Sequence, residues 1–381
     1  MFNLSEYLNH SMEQAASMSL RLSLESGKER NFILQAVGCQ RKAAEKRRHS
    51  EEAGEHVPLF LIASIASECN LFCTGCYARA NRACGDLRDQ SGDGEMLPMA
   101  GISRSIASDL PASRWAGIFR EAADLGIGIV ILAGGEPLTR PDVLEAAAGV
   151  PELIFPVFTN GTMIGDKEIS FFDENRHIIP VISLEGTQKE TDERRGAGVY
   201  DLVRGKMDVL HRKHILFGVS VTVTSSNMDL VTSPAFIHDL RQAGCRLLFF
   251  IEYTPVDRKN ASLTLDDTRR ARLSEIISDL RKTETEMIFS SFPGDEAETQ
   301  GCLAAGRGFF HISPTGCAEP CPVSPFSDMN VRDASLREVL RSPFFRSLRE
   351  DGFLSSEHEG GCLLIEKEKE VREKLASAKN E

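Results

Sequence analysis

The chain has 381 residues, of which 41% are hydrophobic and 26% are charged, a balance typical of a soluble globular protein. Its formal net charge of −12 argues against partners such as a nucleic-acid backbone or an anionic membrane surface, because both are themselves negative. No apolar run approaches the ~20 residues that a membrane span requires, and the first residues lack the basic and apolar regions of a signal peptide, so we expect a cytoplasmic protein.

The sequence pattern changes near residue 58. Residues 1–55 have a helical pattern, and 40–55 are so polar that we interpret them as a solvated helix or linker. Short apolar runs then alternate with amphipathic stretches such as 111–126 and 201–213, which predicts strands separated by helices. The predicted strands are 59–66, 127–135, 153–160, 178–186, 216–223 and 245–256. Six strand–helix repeats, with strands apolar on both faces, indicate a parallel sheet covered by helices.

Five of the six predicted strands end in a polar or glycine-rich stretch. In parallel barrels and open α/β sheets, functional residues gather at the carboxyl ends of the strands, so we expect a site at this edge. Residues 82–110, rich in Gly, Asp and Ser, form a long loop after the first strand. A loop of that length in a compact domain is usually functional or disordered.

Three cysteines follow the first predicted strand with the spacing C-x3-C-x2-C: Cys69, Cys73 and Cys76. The chain has ten cysteines, and in a reducing compartment such abundance favours metal binding or redox chemistry over structural disulfides. Thiolates are the usual ligands of iron–sulfur clusters, and three on one short loop can hold three irons of a cubane and leave the fourth open. The alternative is a zinc loop completed by Cys84 or a histidine, although zinc sites usually pair C-x2-C units.

The second predicted strand ends in Gly134, Gly135, Glu136 and Pro137. Paired glycines allow a ligand to approach the backbone closely. Glu136 can accept a charge-assisted hydrogen bond from an ammonium group. Taken alone, the segment is most often a simple turn.

The third and fourth predicted strands also end in polar residues. Asn160 ends the third strand, Ser183 and Glu185 end the fourth, and Arg195 lies twelve residues beyond Ser183. Taken alone, such residues are typical of turns and helix caps. Their position after the cysteines and the paired glycines is what makes them informative.

These motifs, in this order and on these elements, resemble the radical S-adenosylmethionine (SAM) superfamily. The resemblance implies that Cys69, Cys73 and Cys76 bind a [4Fe–4S] cluster whose open iron is chelated by the amino and carboxylate groups of SAM. An electron passed through the cluster would then cleave SAM into methionine and a 5′-deoxyadenosyl radical. It also implies that the Gly134–Glu136 segment holds the amino group of SAM.

Within that superfamily, the chain is similar to the branch that contains the anaerobic sulfatase-maturating enzymes. There, a serine and an arginine twelve residues later bind the ribose and carboxylate of SAM, which implies these roles for Ser183 and Arg195, with the adjacent Arg194 as the alternative. Asn160 is expected to line the nucleoside pocket. The family commonly has an aromatic residue before the third cysteine, where this chain has Gly75.

Four further cysteines lie near the C-terminus: Cys302, Cys317, Cys321 and Cys362. Their surroundings resemble the auxiliary-cluster extensions called SPASM and twitch domains, and four cysteines fit the shorter twitch type with one auxiliary [4Fe–4S] cluster. Three of them match the family pattern, whereas Cys317 stands where the family does not usually require cysteine. We expect Cys317 as the fourth ligand, and the alternative is a three-cysteine cluster with one open iron. The alternative to any cluster is a zinc knuckle or a set of incidental thiols.

The remaining candidates have simpler explanations. Glu252 and Tyr253 end the sixth predicted strand, where they either face a substrate or cap the strand. Cys84 is a substrate-facing thiol or a surface thiol on the long loop. Cys39 and Cys245 are expected to be buried free thiols.

The resemblance implies an α/β fold: a partial (β/α)6 TIM-like barrel with an N-terminal helical extension and a small C-terminal iron–sulfur domain. We expect the extension over 1–55, the barrel over 56–294 and the auxiliary cluster domain over 295–381.

The function implied is hydrogen abstraction from a substrate by the 5′-deoxyadenosyl radical, in peptide or protein modification. Small-molecule cofactor or natural-product biosynthesis is the alternative. A non-catalytic iron–sulfur electron carrier is a third possibility, but a carrier would not need a SAM pocket. The expected partners are an electron donor such as flavodoxin or ferredoxin and a peptide or small-molecule substrate.

Overall fold

The computed structural model describes residues 27–80, 109–256, 260–293, 299–350, 352–358 and 361–379. Most of the predicted 82–110 loop, including Cys84, lies outside these residues, as does the start of the N-terminal extension. In the part of the chain that is described, no helix is both long enough and apolar enough to cross a membrane.

Helices and strands alternate through most of the described chain. The strands are β1 (Phe60–Ala66), β2 (Ile129–Gly134), β3 (Phe155–Thr159), β4 (Ile178–Leu184), β5 (Gly218–Val223), β6 (Leu247–Glu252), β7 (Ile288–Phe292), β8 (Phe309–Ile312), β9 (Cys317–Glu319) and β10 (Met329–Asn330). The helices up to β6 are α1 (Gly27–Glu52), α2 (Tyr77–Ala80), α3 (Ala112–Leu125), α4 (Pro141–Ala148), α5 (Asp166–Glu174), α6 (Gln188–Arg195), α7 (Val199–Arg212), α8 (Met228–Val231) and α9 (Pro234–Gln242). The later helices are α10 (Asp267–Thr283), α11 (Leu336–Leu340), α12 (Pro343–Arg349), α13 (Leu363–Glu366) and α14 (Glu368–Ala378).

All ten strands belong to one sheet, in the order β10-β9-β8-β1-β2-β3-β4-β5-β6-β7. From β8 through β7 every neighbouring pair is parallel, whereas β9 and β10 join the β8 edge in antiparallel fashion. The expected α/β partial-barrel fold is confirmed, and each of the six predicted strands is present. The parallel sheet extends beyond those six by β7 and β8.

The sheet has an outer face that carries the helices and an inner face that encloses the barrel interior. Phe155 packs edge-on against Phe119 of α3, and Phe310 does the same against Phe345 of α12, so both point outward. Because side chains alternate along a strand, Phe158 and His311 point inward. Phe309 of β8 contacts Phe292 of β7 at 5.3 Å between ring centroids, which shows that the sheet curls until these strands approach each other.

The N-terminal helix α1 is fastened to the barrel. Gln40 Nε2 donates to the carbonyl of Gly128 at 2.8 Å, just before β2. Near the start of α1, Glu29 forms a 2.9 Å ion pair with Arg176, which lies just before β4. The described part of the extension is therefore a single packed helix. At the other end of the chain, β8–β10 continue the barrel sheet, so the division at residue 294 stays a proposal about domains.

Candidate functional site

The cysteine loop, residues 67–76, leaves the carboxyl end of β1 and ends at α2. Cys69, Cys73 and Cys76 are free and half-buried. Burial raises the pKa of the Cys69 thiol, and the charges of Glu136, Cys73 and Cys76 raise it further, because all lie close to it. The three sulfur atoms thus share one region at the sheet edge where the sequence predicts a site.

No group of three or more His, Cys, Asp or Glu side chains among the described residues is arranged to hold a single metal ion. The thiolates of a cubane cluster bind different irons and stand at separate corners, so a cluster site need not show that arrangement. Half-buried cysteines on one short loop are a suitable donor set for a cluster. The residues present therefore fit the group that the sequence pattern implies.

The turn after β2 is bonded directly to the cysteine loop. Gly135 N donates to the carbonyl of Ala66 at 2.6 Å, and Glu136 N donates to that of Glu68 at 2.7 Å. A Cβ atom on Gly135 would lie 2.0 Å from the Glu68 carbonyl oxygen, so only glycine allows this approach. The paired glycines therefore set the position of the cysteine loop itself.

The carboxylate of Glu136 is 1% exposed and accepts three hydrogen bonds. Oε1 accepts from Thr159 Oγ1 at 2.7 Å and from Leu138 N at 3.0 Å, and Oε2 accepts from Asn160 N at 2.8 Å. Burial raises the pKa of Glu136, whereas these hydrogen bonds lower it. Since a carboxylate oxygen has two lone pairs, Oε2 can accept a further bond from a ligand.

The side chain of Asn160 is bonded to the cysteine loop. Its Nδ2 donates to Asn70 Oδ1 at 2.8 Å and lies 3.8 Å from Cys69 Sγ. Its Oδ1 accepts from Thr162 N at 2.9 Å. Asn160 therefore positions the loop, and its expected contact with the nucleoside stays a prediction.

Two serines from neighbouring strands meet on the inner face beside this loop. Ser183 Oγ lies 3.2 Å from Ser220 Oγ. Beyond Ser183, Glu185 is 2% exposed and its Oε1 accepts from both Arg194 and Arg195 at 2.5 Å. Among the described residues, Glu185 Oε2 is buried and has no hydrogen-bond partner.

The two arginines that end α6 have different surroundings. Arg194 is bonded to the cysteine loop: its Nε donates to the Thr74 carbonyl at 3.2 Å, and its own carbonyl accepts from Thr74 N at 3.0 Å. Arg195 is 10% exposed, and its Nη1 lies 4.0 Å from Cys73 Sγ. Arg195 thus points its charge at the cysteines, and its expected bond to the SAM carboxylate stays a prediction.

Gly75 is covered by a ring from another element. Gly75 has φ +68°, and a Cβ there would lie 2.8 Å from the Tyr253 ring. Tyr253 is 4% exposed and follows β6. Where the family commonly has an aromatic residue before the third cysteine, this chain brings a tyrosine ring from the end of β6, which gives Tyr253 a defined place beside the cysteine loop.

A second group, the auxiliary cysteines Cys302, Cys321 and Cys362, collects on the C-terminal side. All three are free; the first two are buried and Cys362 is half-buried. Burial raises the pKa of the Cys321 thiol well above its usual value, and the charges of Cys362 and Cys302 raise it further, so the three are neighbours. A buried thiol that resists ionisation becomes a thiolate readily when a metal binds it.

The expectation of Cys317 as a fourth ligand is not met in this structure. Cys317 is disulfide-bonded, and a disulfide sulfur is not a thiolate that can bind iron. The sequence alone groups Cys317 with the others because four cysteines are most simply explained by one cluster, whereas β9 places it at the start of a strand that ends before Cys321.

Sequence reasoning missed a buried polar group on the inner face, made of Ser64, His311 and Glu319. Ser64 Oγ lies 2.8 Å from His311 Nε2, and His311 Nδ1 lies 2.7 Å from Glu319 Oε2. The available signal was a single polar residue within each of two apolar strands, FLIASIA and FFHI. Their pairing could not be read from the sequence, because 247 positions separate Ser64 from His311.

Comparison with known proteins identifies a domain of the Radical SAM superfamily over residues 64–230. The AdoMet-dependent heme synthase of Methanosarcina barkeri is 26% identical over 343 residues, which cover 82% of this chain and 90% of that relative. Among solved structures, Streptococcus suis SuiB bound to the precursor peptide SuiA matches 86% of this chain and 77% of its own, with a TM-score of 0.62 and 19% identity. The structure of anSMEcpe with bound AdoMet matches 84% of this chain and 97% of its own, with a TM-score of 0.54 and 15% identity. Both solved structures share the fold of this chain.

The matched domain begins on β1 and includes the cysteine loop, the paired glycines and the arginines of α6. Enzymes of this family use a [4Fe–4S] cluster together with SAM, and they require a reductant. The cysteine loop provides thiols for such a cluster, and the elements bonded to it surround a polar site on the barrel edge. The chain is therefore an enzyme that contains a domain of the radical SAM superfamily over residues 64–230.

Proposed function

We propose that Cys69, Cys73 and Cys76 hold the cluster at which SAM is cleaved and that the radical so formed abstracts hydrogen from a substrate inside the barrel. When bound, the cluster supplies the electron that breaks the carbon–sulfur bond of SAM. The observation that carries the proposal is the direct bonding of the cysteine loop to the turn after β2 and to the end of α6. Three separate motifs thus form one site.

The residues around the loop have donors and acceptors left for SAM. Glu136 Oε2 accepts the ammonium group. Arg195 uses three of its five N–H groups on Glu185 and Cys73, and the others bind the carboxylate. The Ser183 hydroxyl donates or accepts a bond at the ribose hydroxyls, and the unpartnered Glu185 Oε2 accepts one.

The auxiliary cysteines hold one further [4Fe–4S] cluster. Burial keeps the thiols of Cys302 and Cys321 away from water, and three closely placed thiols are a suitable donor set for a cluster. With Cys317 in a disulfide, a cluster on three cysteines keeps one iron free for another ligand. The electron donor is of the flavodoxin or ferredoxin class.

The substrate class that we favour is a tetrapyrrole of cofactor biosynthesis. The heme synthase relative aligns with this chain over nearly its whole length. The inner face is suited to a flat apolar ligand, because Phe158 and Phe249 project into it as an edge-to-face pair at 5.1 Å and neither ring is fully covered. Both observations support a small-molecule substrate over the peptide first expected.

Peptide or protein modification is the second candidate. SuiB, which shares the fold over 86% of this chain, was solved with a precursor peptide. The described part of the N-terminal extension is one helix packed on the barrel rather than a separate peptide-binding module, which makes this candidate the weaker one.

The radical chemistry is tested by anaerobic reconstitution with iron and sulfide, followed by addition of dithionite and SAM. We expect release of 5′-deoxyadenosine, and its loss when Cys69, Cys73 and Cys76 are all changed to Ala while iron remains at the auxiliary cysteines. Cys39→Ala in α1 is the matched control and should retain the activity. Continued 5′-deoxyadenosine release by the triple variant would refute the assignment.

The substrate class is tested with candidate substrates carrying deuterium. We expect tetrapyrroles, with or without bound iron, to transfer deuterium into 5′-deoxyadenosine, because the radical takes hydrogen directly from its substrate. Short peptides serve as the comparison. Transfer from a peptide and none from any tetrapyrrole would favour the second candidate.

A further inference from the structure

A buried hydrogen-bonded chain crosses the inner face of the barrel. It runs from Ser64 on β1 through His311 on β8 to Glu319 on β9, and the three residues are 3–4% exposed. The strand register places them on the same face, since His311 pairs with Ile62 on one side and with Glu319 on the other. The hydrogen-bonded chain of Ser64, His311 and Glu319 therefore spans three adjacent strands.

The two ends of this hydrogen-bonded chain lie near the two groups of cysteines. At one end, Ser64 forms a hydrogen bond with the phenol of Tyr77, the residue that follows Cys76. At the other end, Glu319 stands two residues before Cys321. The charges of Cys76, Cys321 and Glu319 all act on Tyr77, so its side chain lies near both the cysteine loop and the auxiliary cysteine Cys321.

Stability alone does not account for such a chain. Burying an ionisable pair costs several kcal/mol per ion, and apolar residues of similar volume are often at least as stable in its place. The strands β1 and β8 are already joined by four paired positions of backbone. A set of polar side chains that fixes one tyrosine near both groups of potential cluster ligands is better explained by a role for that tyrosine.

We propose that Tyr77, held in place by Ser64, His311 and Glu319, is the contact through which an electron passes between the two cluster sites. The inference rests on the auxiliary cluster of the proposed function. One electron leaves the reduced cluster on the auxiliary cysteines and arrives at the oxidised cluster on the cysteine loop, so one cluster is oxidised as the other is reduced. Tyr77 keeps its proton and its electrons and acts as a fixed aromatic spacer.

The experiment uses the full chain loaded with both clusters, without substrate. After rapid partial reduction, freeze-quenched electron paramagnetic resonance spectra follow how fast the electron redistributes between the two cluster signals. We expect Tyr77→Leu to slow this redistribution, because the ring is lost. Tyr77→Phe keeps the ring but loses its bond to Ser64, and we expect an intermediate rate. Phe72→Leu is the matched control, since this ring lies on the same loop but is 80% exposed.

Iron content and the midpoint potentials of both clusters are measured in every variant. An unchanged rate in Tyr77→Leu with both clusters present would overturn the role of Tyr77 and leave the proposed function intact. Absence of a second cluster signal in the unaltered protein would overturn the auxiliary cluster and this inference together. If Tyr77→Leu does not retain its clusters, the His311→Gln variant decides, because it leaves Tyr77 and every cysteine in place. A slower electron redistribution in His311→Gln supports the role of Tyr77, and an unchanged rate refutes it.

Discussion

Glu136 illustrates how one buried side chain serves both the protein and its ligand. Its carboxylate accepts bonds from the end of β3 and from Leu138 in the turn after β2, and its backbone N–H is bonded to the cysteine loop. Because the carboxylate is held from several sides, a ligand that binds it meets a fixed acceptor and loses little free energy in ordering it.

Removing the negative charge of Glu136 gives the first prediction for a single residue. Glu136→Gln keeps the shape of the side chain but removes its charge. A hydrogen bond to a charged group contributes about 1.5–3 kcal/mol, so we expect SAM to bind roughly ten- to a hundred-fold more weakly. Calorimetric titration of SAM under nitrogen measures this. Asp142→Asn, a neighbouring exposed carboxylate bonded to Arg140, should bind SAM normally; equal affinities in both variants would contradict the role of Glu136.

Cys245 gives a second prediction at this scale. It is fully buried before β6, and burial raises the pKa of its thiol from 9.0 to about 12. Between these values the unfolded chain releases the proton and the folded chain keeps it, so stability falls as pH rises, by about 1.4 kcal/mol per pH unit above 9.

The measurement is urea unfolding of the cluster-free protein between pH 8 and 10.5. We expect Cys245→Ala to be less stable at pH 8, because a buried sulfur is lost, but to lose less stability than the unaltered protein as pH rises. Cys39→Ala serves as the control on a half-buried thiol. Parallel curves for Cys245→Ala and the unaltered protein would contradict the prediction.

At the scale of elements, what the sequence predicts follows from local patterns. The six strands were found because each is a continuous apolar run, and the cysteine and glycine motifs because each occupies only a few consecutive positions. The strand β8 was missed as a barrel strand because its place beside β1 depends on pairing between Phe60 and Phe309, far apart in sequence. For the same reason, neither the contact of Tyr253 with Gly75 nor the chain through His311 could be predicted.

The helix α6 gives the prediction at this scale, because its last two arginines separate loop positioning from ligand binding. Arg194 is bonded to Thr74 and to Thr222, so we expect Arg194→Gln to reduce both the iron bound by the cysteine loop and the affinity for SAM. Arg195 bonds only Glu185 by short contacts, and we expect Arg195→Gln to keep its iron while binding SAM more weakly.

Iron content and SAM affinity are measured on both variants in a background that lacks the auxiliary cysteines, so that iron reports the cysteine loop alone. Ser183→Ala is included because Ser183 faces the same site without contacting the loop. The roles would be exchanged if Arg194→Gln kept its full iron content but lost SAM affinity while Arg195→Gln bound SAM normally. Arg194 would then be the residue that binds SAM.

For the molecule as a whole, the structure separates a site at the carboxyl ends of the strands from a scaffold at the opposite ends. The helix α1 is bonded near the starts of β2 and β4, through Gln40 and Glu29, whereas the cysteine loop and the paired glycines lie where β1 and β2 end. Since the two regions lie at opposite ends of the same strands, a change in α1 should alter stability without altering the chemistry.

The adjacent residues Lys28 and Glu29 test this separation. Glu29 forms a buried ion pair with Arg176, whose side chain is 8% exposed, and leaving a buried charge without any partner typically costs about 3–5 kcal/mol. Because Arg176 keeps Asp173 as a second partner, we expect Glu29→Ala to lower the thermal unfolding temperature by less than that full cost implies, but measurably. Lys28 pairs with Asp173 at the surface, where its side chain is 63% exposed, and such pairs contribute about 0–1 kcal/mol, so Lys28→Ala should change little. Both variants should bind SAM and release 5′-deoxyadenosine as the unaltered protein does at temperatures where they are folded. A loss of SAM binding in folded Glu29→Ala would show that α1 acts on the site, because this helix would then determine the geometry at the far ends of the strands.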